Sequence, residues 1–122
     1  MNCPAIAVVD DDESVRESLP DLLKEFGYSS LAFESAEEFL ASECIGDIGC
    51  LILDVAMGGM SGLDLQRELH LRGESVPIIF ITAHRDDSLS PRVLENGAVA
   101  CLFKPFSDTA LLAALKLALN NN

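Results

Sequence analysis

The feature that most constrains the fold is a set of short apolar runs, each of which ends in a charged or hydroxyl residue. The clearest of them, residues 50–54, reads CLILD and is followed by a glycine-rich loop. An apolar run without alternation, bounded by turn residues, is typical of a strand buried on both faces of a parallel sheet. Asp54 is therefore predicted at the carboxyl end of a buried strand, where open α/β sheets bind their ligands.

Amphipathic segments separate these runs, so predicted strands and helices alternate along the chain. Helices are predicted to start at Ser35, at Ser90 and at Ser107 or Asp108, and to end at Gly27, Gly73 and Gly97. Pro20 lies inside the first helix and should kink it. Five strands and five helices predict one α/β domain over residues 1–122, with a doubly wound, flavodoxin-like parallel sheet in the order 2-1-3-4-5.

The charge of the chain excludes several classes of partner. Twenty acidic residues against eight basic ones give a formal net charge of −12, which repels nucleic-acid phosphates and anionic membrane surfaces. The longest apolar tract, 110–119, is broken by Lys116 and has about half the length of a membrane-spanning helix. The first residues carry no secretory signal pattern. We therefore expect a cytoplasmic protein that binds neither nucleic acid nor membrane directly.

The predicted strand order brings five polar residues to one edge of the sheet: Asp10, Asp11, Asp54, Thr82 and Lys104. Two carboxylates about 4 Å apart repel by roughly 4 kcal/mol at an effective dielectric near 20, so three of them call for a cation. Hard oxygen ligands with room for water suit Mg²⁺, and a single lysine is a point-charge clamp for phosphate. The set predicts phosphoryl chemistry with a carboxylate available as nucleophile.

Each of these residues, taken alone, also has a purely structural explanation. An acidic cluster after a strand commonly caps the next helix, and an aspartate after a buried strand commonly makes a turn. Thr82 could simply end a strand and Lys104 could be a solvated charge. Their coincidence at strand ends that the fold makes neighbours favours a functional site. No glycine-rich nucleotide-binding loop accompanies them.

With these residues in place, the chain resembles the receiver domain of two-component response regulators. The resemblance covers essentially all 122 residues and is greatest to receivers of LuxR-type, nitrogen-fixation-like transcription regulators. The motifs that carry it are Val9-Asp10-Asp11, Asp54-x-x-Met57-x-x-Met60-x-Gly62, Thr82-Ala83 and Lys104-Pro105-Phe106.

The resemblance implies a metal site at the acidic cluster. Asp11, Asp54 and the backbone carbonyl of Ala56 would hold Mg²⁺, and Asp10 would act mainly through a bound water. The resemblance gives the chain no substrate of its own: it would catalyse only its own phosphorylation and dephosphorylation.

The same resemblance implies a phosphorylation switch. Asp54 would accept a phosphoryl group from a phosphohistidine on a sensor kinase or phosphotransfer protein. Lys104, next to a cis peptide bond to Pro105, would pair with the phosphoryl oxygens. The Thr82 hydroxyl would move to the phosphoryl group and carry the signal outward.

Three positions raise questions about how the switch operates. Gly58 stands where the family usually has proline, so we expect a looser loop with weaker Mg²⁺ binding or slower phosphorylation. Cys101 replaces the usual Tyr or Phe of the switch and cannot sweep out the same volume. Leu117 points away from the apolar face of the last helix; it is either a single exposed apolar residue or part of a homodimer surface or of a contact with an effector domain.

Two other functions stay open at this stage. Gly58 and Cys101 would suit a degenerate receiver that acts as an unphosphorylated scaffold. The pair Asp10 and Asp12 loosely resembles the Asp-x-Asp motif of haloacid-dehalogenase-like phosphohydrolases, with Asp10 as the nucleophile, although Glu13 fits the rest of that motif poorly.

Overall fold

Five parallel strands form one sheet in the computed structural model, which describes residues 4–83, 94–95 and 97–120. The strands are β1 (Ile6–Val9), β2 (Ser30–Phe33), β3 (Cys50–Asp54), β4 (Ile78–Thr82) and β5 (Ala100–Phe103). Their order is β2-β1-β3-β4-β5, and every neighbouring pair is parallel. The predicted doubly wound 2-1-3-4-5 sheet is confirmed.

Four helices lie in the described part of the chain: α1 (Glu13–Glu25), α2 (Ala36–Leu40), α3 (Gly62–Leu71) and α4 (Asp108–Asn120). Helix α1 continues through Pro20. The helix predicted between Ser90 and Gly97 lies largely outside the described residues, although residues 94–95 are helical and Gly97 has a φ of 99°. Within the described segments, no helix is long and apolar enough to cross a membrane.

Short polar side chains fix where the helices begin. Asp12 accepts a hydrogen bond from the backbone N–H of Ser14 at 2.9 Å, so one of the consecutive acidic residues after β1 is a helix cap. Ser35 caps α2, and Ser61 forms a reciprocal capping box with Asp64 at α3. For α4, the cap is Ser107, whose hydroxyl accepts from Ala110 at 3.0 Å.

The sheet is buried on both faces, which explains why the strand sequences do not alternate. Alternate residues of a strand point to opposite faces. One set packs against α2 and α3, and the other packs against α1 and α4. The first core contains Ala7, Val9, Leu51, Leu53, Phe80, Phe39, Leu65 and Leu69; the second contains Ile6, Val8, Ile52, Ile79, Leu19, Leu23, Leu111 and Leu115.

Phe39 anchors the short helix α2 to the sheet, and its truncation tests this packing. The Phe39 ring is fully buried and meets Phe33 edge to face, with centroids 5.4 Å apart. We expect Phe39→Ala to lower the free energy of unfolding by about 3–5 kcal/mol, because it removes a buried ring and leaves a cavity. Urea denaturation followed by circular dichroism measures the change.

The matched control is Leu71→Ala on α3, where the leucine is 77% exposed. We expect a change within about 0.5 kcal/mol, since surface substitutions away from special features have small effects. Equal losses in the two variants would contradict this account of the core.

Candidate functional site

The carboxyl ends of four adjacent strands place the predicted polar residues at one edge of the sheet. Asp10 directly follows β1, Asp54 is the last residue of β3, and Thr82 is the last residue of β4. Lys104 follows β5, and its backbone N–H donates to the Thr82 carbonyl at 2.8 Å. Because the parallel register aligns these strand ends, residues far apart in sequence become neighbours.

The Lys104 ammonium lies close to two of the carboxyl groups. Its ammonium lies 2.9 Å from Asp10 Oδ2 and 3.7 Å from Asp54 Oδ2. The peptide bond between Lys104 and Pro105 is cis, as the resemblance implied. The single ammonium therefore faces two carboxyl groups at once.

Asp10 is fully buried, and its carboxyl and carbonyl oxygens all have polar partners. Its Oδ1 accepts the backbone N–H of Asp12 at 2.9 Å, while its Oδ2 meets Lys104. Arg16, on the first turns of α1, donates to the Asp10 carbonyl oxygen at 3.1 Å. With both carboxyl oxygens occupied and no exposed surface, Asp10 is badly placed to attack a substrate.

The environment shifts the ionisation of Asp54 and Lys104. Burial and the neighbouring charge of Asp10 raise the pKa of Asp54 to about 7, although Lys104 opposes this shift. Burial acts to lower the pKa of Lys104, but its hydrogen bond to Asp10 and the nearby carboxylates outweigh that effect and leave its pKa raised. Lys104 therefore stays charged, whereas Asp54 is only partly ionised near neutral pH unless another cation stabilises its charge.

Three carboxyl groups converge closely enough to share a metal ion. Asp10, Asp11 and Asp54 can each supply one oxygen, and these oxygens lie within 4.8 Å of one another. Asp10 and Asp54 are buried, while Asp11 is exposed, so the cluster opens to solvent on one side. Clustered carboxyl oxygens with open access fit a hard divalent cation that keeps part of its water shell.

Gly62 fixes the path of the chain behind Asp54. Its N–H donates to the Val55 carbonyl at 3.0 Å. A Cβ atom at this position would collide with the Asp54 carbonyl oxygen and would lie 3.0 Å from the Val55 Cα. The close approach of α3 to the end of β3 therefore requires glycine at position 62.

Two carboxylates hold the loop between Asp54 and α3. Asp11 Oδ2 accepts the Gly58 N–H at 3.3 Å, and Glu37 Oε2 accepts the Met60 N–H at 3.4 Å. Gly59 lies against Glu37 with a φ of 76°, a conformation that favours glycine. The Ala56 N–H donates to Asp54 Oδ1 at 3.2 Å, so the loop also supports the Asp54 side chain.

Glu37 and Arg16 were missed by sequence reasoning. Neither belongs to a motif at a strand end, and each reaches the site from a helix. Arg16 lies six residues after Asp10, a separation that places it on the first turns of the following helix, which is a weak signal. No sequence pattern connects Glu37 with Met60, because their contact depends on the positions of α2 and the loop.

Thr82 and Cys101 lie in neighbouring strands. Thr82 is buried at the end of β4. Cys101, in register with Phe80, is partly buried against the core on the α2 and α3 face. Cys101 lies two residues before the end of β5 at Phe103, and Phe103 is the residue in register with Thr82.

The requirement for glycine at position 62 can be tested by Gly62→Ala. Because the added methyl group must displace the Asp54 or Val55 backbone, we expect the free energy of unfolding to fall by about 1–3 kcal/mol. Gly58→Ala is the matched control, since a Cβ there meets nothing within 4 Å. Chemical denaturation of both variants measures the difference, and equal stabilities would contradict the assignment.

The ionisation of Asp54 predicts how stability depends on pH in the absence of divalent cations. Its pKa is about 7 in the folded protein and 3.8 for an unperturbed aspartate, so between these values the native state binds more protons than the unfolded state. Across that interval the Asp54 contribution lowers the free energy of unfolding as pH rises, by about 1.4 kcal/mol per pH unit. We expect Asp54→Asn to become more stable than the parent as pH rises from 5 to about 8.

Urea denaturation in EDTA at the two pH values measures this effect. Asp21→Asn, at an exposed position on α1, serves as the control and should follow the parent at both. If the difference in stability between parent and Asp54→Asn were the same at both pH values, Asp54 would not carry the shifted pKa.

Comparisons with known proteins identify the family of the chain. The family model of the response regulator receiver domain matches residues 6–116. The response regulator protein TodT of Pseudomonas putida is 45% identical over 114 residues, which are 93% of this chain and 50% of TodT. The transcriptional regulatory protein FixJ of Azorhizobium caulinodans is 40% identical over 117 residues, covering 96% of this chain and 56% of FixJ. The chain thus spans about half the length of the curated relatives it matches.

A solved structure gives the same result for the fold. The crystal structure of FixJ-N superposes with a TM-score of 0.86 at 35% identity, covering 100% of this chain and 98% of FixJ-N. The resemblance inferred from the strand-end motifs is therefore confirmed over nearly the whole sequence. With its five-stranded parallel sheet and a family match from residue 6 to residue 116, the chain belongs to the response regulator receiver domains.

Proposed function

We propose that the chain is a phosphoacceptor of a two-component signalling system and that Asp54 is the residue phosphorylated. The observation that carries this proposal is the placement of Asp54, at the end of β3, beside the Lys104 ammonium and two further carboxyl groups. A phosphoryl group on Asp54 would bring negative oxygens close to the Lys104 ammonium, which already pairs with Asp10 and Asp54. Family membership supports the same role.

The proposed reaction is a direct phosphoryl transfer. An oxygen of ionised Asp54 forms a bond to phosphorus, and the bond from phosphorus to the donor nitrogen breaks. The imidazole of the donor histidine leaves with the electron pair of that bond and is protonated by solvent. Lys104 would follow the charge as it moves onto the transferred oxygens, because its ammonium already lies 3.7 Å from Asp54.

Asp11, Asp54 and the carbonyl of Ala56 are the proposed ligands of Mg²⁺, with Asp10 acting through a bound water. The convergence of the carboxyl oxygens supports this assignment. When bound, the ion would neutralise charge on the phosphoryl oxygens. It would also oppose the raised pKa of Asp54, so that the nucleophile is ionised at neutral pH. Asp10 and Lys104 keep their direct ion pair in this arrangement.

Thr82 is the proposed carrier of the signal from the phosphorylated residue to the rest of the domain. Its position at the end of β4, next to β3, is consistent with a hydroxyl that reaches a group on Asp54. Cys101, in the adjacent β5, is the proposed counterpart of the family's aromatic switch residue. A thiol displaces less volume than an aromatic ring, so we propose that Thr82 dominates the response.

The proposed phosphodonor is a sensor histidine kinase or a phosphotransfer protein in the cytoplasm. The curated relatives include transcriptional regulators that are about twice as long as this chain. We therefore propose output through protein contacts, either a homodimer or an effector domain. Leu117 on α4, which is 61% exposed, is the proposed centre of that contact.

The phosphohydrolase alternative loses support in the folded chain. It requires Asp10 as the nucleophile, but Asp10 is fully buried and both of its carboxyl oxygens have partners. The scaffold alternative differs from the proposal only in chemistry, since it would use the same fold without phosphorylation. The phosphorylation experiment therefore separates those two functions.

The experiment is incubation with Mg²⁺ and acetyl phosphate, followed by intact mass spectrometry. We expect the parent to gain one phosphoryl group and Asp54→Asn to gain none, because an amide oxygen is a poor nucleophile. Asp21→Asn, which changes an exposed aspartate on α1, should be labelled like the parent. Addition of EDTA should abolish labelling of the parent.

Labelling of Asp54→Asn equal to the parent would overturn the assignment of Asp54. Absence of label on the parent in millimolar Mg²⁺ would instead favour the scaffold. Rapid release of inorganic phosphate that is lost in Asp10→Asn would restore the phosphohydrolase.

A further inference from the structure

The loop after Asp54 is held by a hydrogen bond that depends on the residue type at position 58. The Gly58 N–H donates to Asp11 Oδ2 at 3.3 Å. The receiver family usually has proline at this position, and proline has no backbone N–H. Glycine in place of proline therefore has two effects. It removes the proline ring, and it supplies a hydrogen-bond donor to Asp11, one of the three carboxylates of the cluster.

Asp11 is the member of the cluster that this donor can affect most. Asp10 is fixed by Lys104 and by the Asp12 N–H, and Asp54 is supported by Lys104 and Ala56. Asp11 is exposed, and its contact with Gly58 joins it to a residue 47 positions away in sequence. Asp11 therefore has the greatest freedom to turn between the loop and a cation.

We propose that Gly58 lowers the affinity of the cluster for Mg²⁺ because its N–H competes with the ion for the Asp11 carboxylate. The partial positive charge of the N–H stabilises the Asp11 carboxylate in its present orientation through Oδ2, so a cation that draws this carboxylate toward Asp54 requires the hydrogen bond to lengthen or break. The acceptor is charged, which strengthens a hydrogen bond, but the distance of 3.3 Å is long, so we expect the exchange to change the affinity only modestly. The proposal rests on the metal site of the proposed function and adds a residue that sets its affinity.

The rest of the loop would stay in place during this exchange. At its other side, the Met60 N–H remains bonded to Glu37, and Gly62 packs directly against the Asp54 carbonyl. The exchange is thus confined to the Asp11 carboxylate and the peptide unit before Gly58. A local exchange of this kind changes metal affinity without refolding the loop.

Gly58→Pro and Gly58→Ala form a matched pair that isolates the donor. Proline removes the N–H, whereas alanine keeps it and places its Cβ in open space. Both restrict the backbone more than glycine does. We expect Gly58→Pro to bind Mg²⁺ about three- to tenfold more tightly than Gly58→Ala, and Gly58→Ala to match the parent within about twofold.

Isothermal titration calorimetry with MgCl₂ on the intact protein measures these affinities without a phosphodonor. Equal affinities of the two variants would overturn the proposal. Any shared gain over the parent would then come from backbone restriction and not from loss of the N–H. Absence of Mg²⁺ binding in the parent would instead contradict the metal site of the proposed function.

A measurement on the parent keeps the proposal testable if the proline variant does not fold. In ¹⁵N-labelled protein, the Gly58 amide proton should shift upfield as MgCl₂ is added, because its hydrogen bond to Asp11 lengthens. The midpoint should equal the calorimetric dissociation constant. An unchanged or downfield Gly58 amide proton in Mg²⁺-saturated protein would contradict competition for Asp11.

Discussion

The attraction between one ammonium and two carboxyl groups is the interaction on which the edge of the sheet depends. Lys104 lies 2.9 Å from Asp10 and 3.7 Å from Asp54, in surroundings that bury both acids. One positive charge cannot balance two ionised carboxylates, and Asp11 adds a third group nearby. Burial, and after it the neighbouring charge of Asp10, raises the pKa of Asp54 to about 7, so partial protonation of Asp54 relieves some of the excess near neutral pH. A divalent cation would relieve the same imbalance while leaving Asp54 ionised.

The sheet supplies the precision that this arrangement needs. Parallel register brings the ends of β1, β3, β4 and β5 to one edge, and helices on both faces bury the strands that lead there. Behind Asp54, Gly62 allows α3 to approach the strand end closely. The acidic residues therefore sit on short extensions of rigid elements, which limits how far they can separate to reduce their repulsion.

Sequence reasoning predicts the features that depend on local pattern. The strand ends at Asp54 and Thr82, the strand order and the glycine turns follow from apolar runs and turn residues, and the structure agrees. Backbone geometry was needed to decide that Ser107, and not Asp108, caps α4. It was also needed to show that Asp12 caps α1, whereas Asp10 and Asp11 belong to the acidic cluster. Contacts between separate elements, such as Glu37 with Met60, have no periodic signature and could not be predicted.

Gly58 shows how one substitution can be interpreted in two physical ways. As a flexible residue, it would loosen the loop, an entropic effect of about 0.5–1 kcal/mol in regular structure. That effect is limited here, because Glu37 holds the loop through Met60 and Gly62 packs against Asp54. The second effect comes from the Gly58 N–H, which lies at the acidic cluster and donates to an Asp11 carboxylate oxygen. The hydrogen bond acts directly on Asp11, a proposed ligand of the ion, whereas the flexibility of Gly58 acts on a short loop that the bond from Met60 to Glu37 already holds.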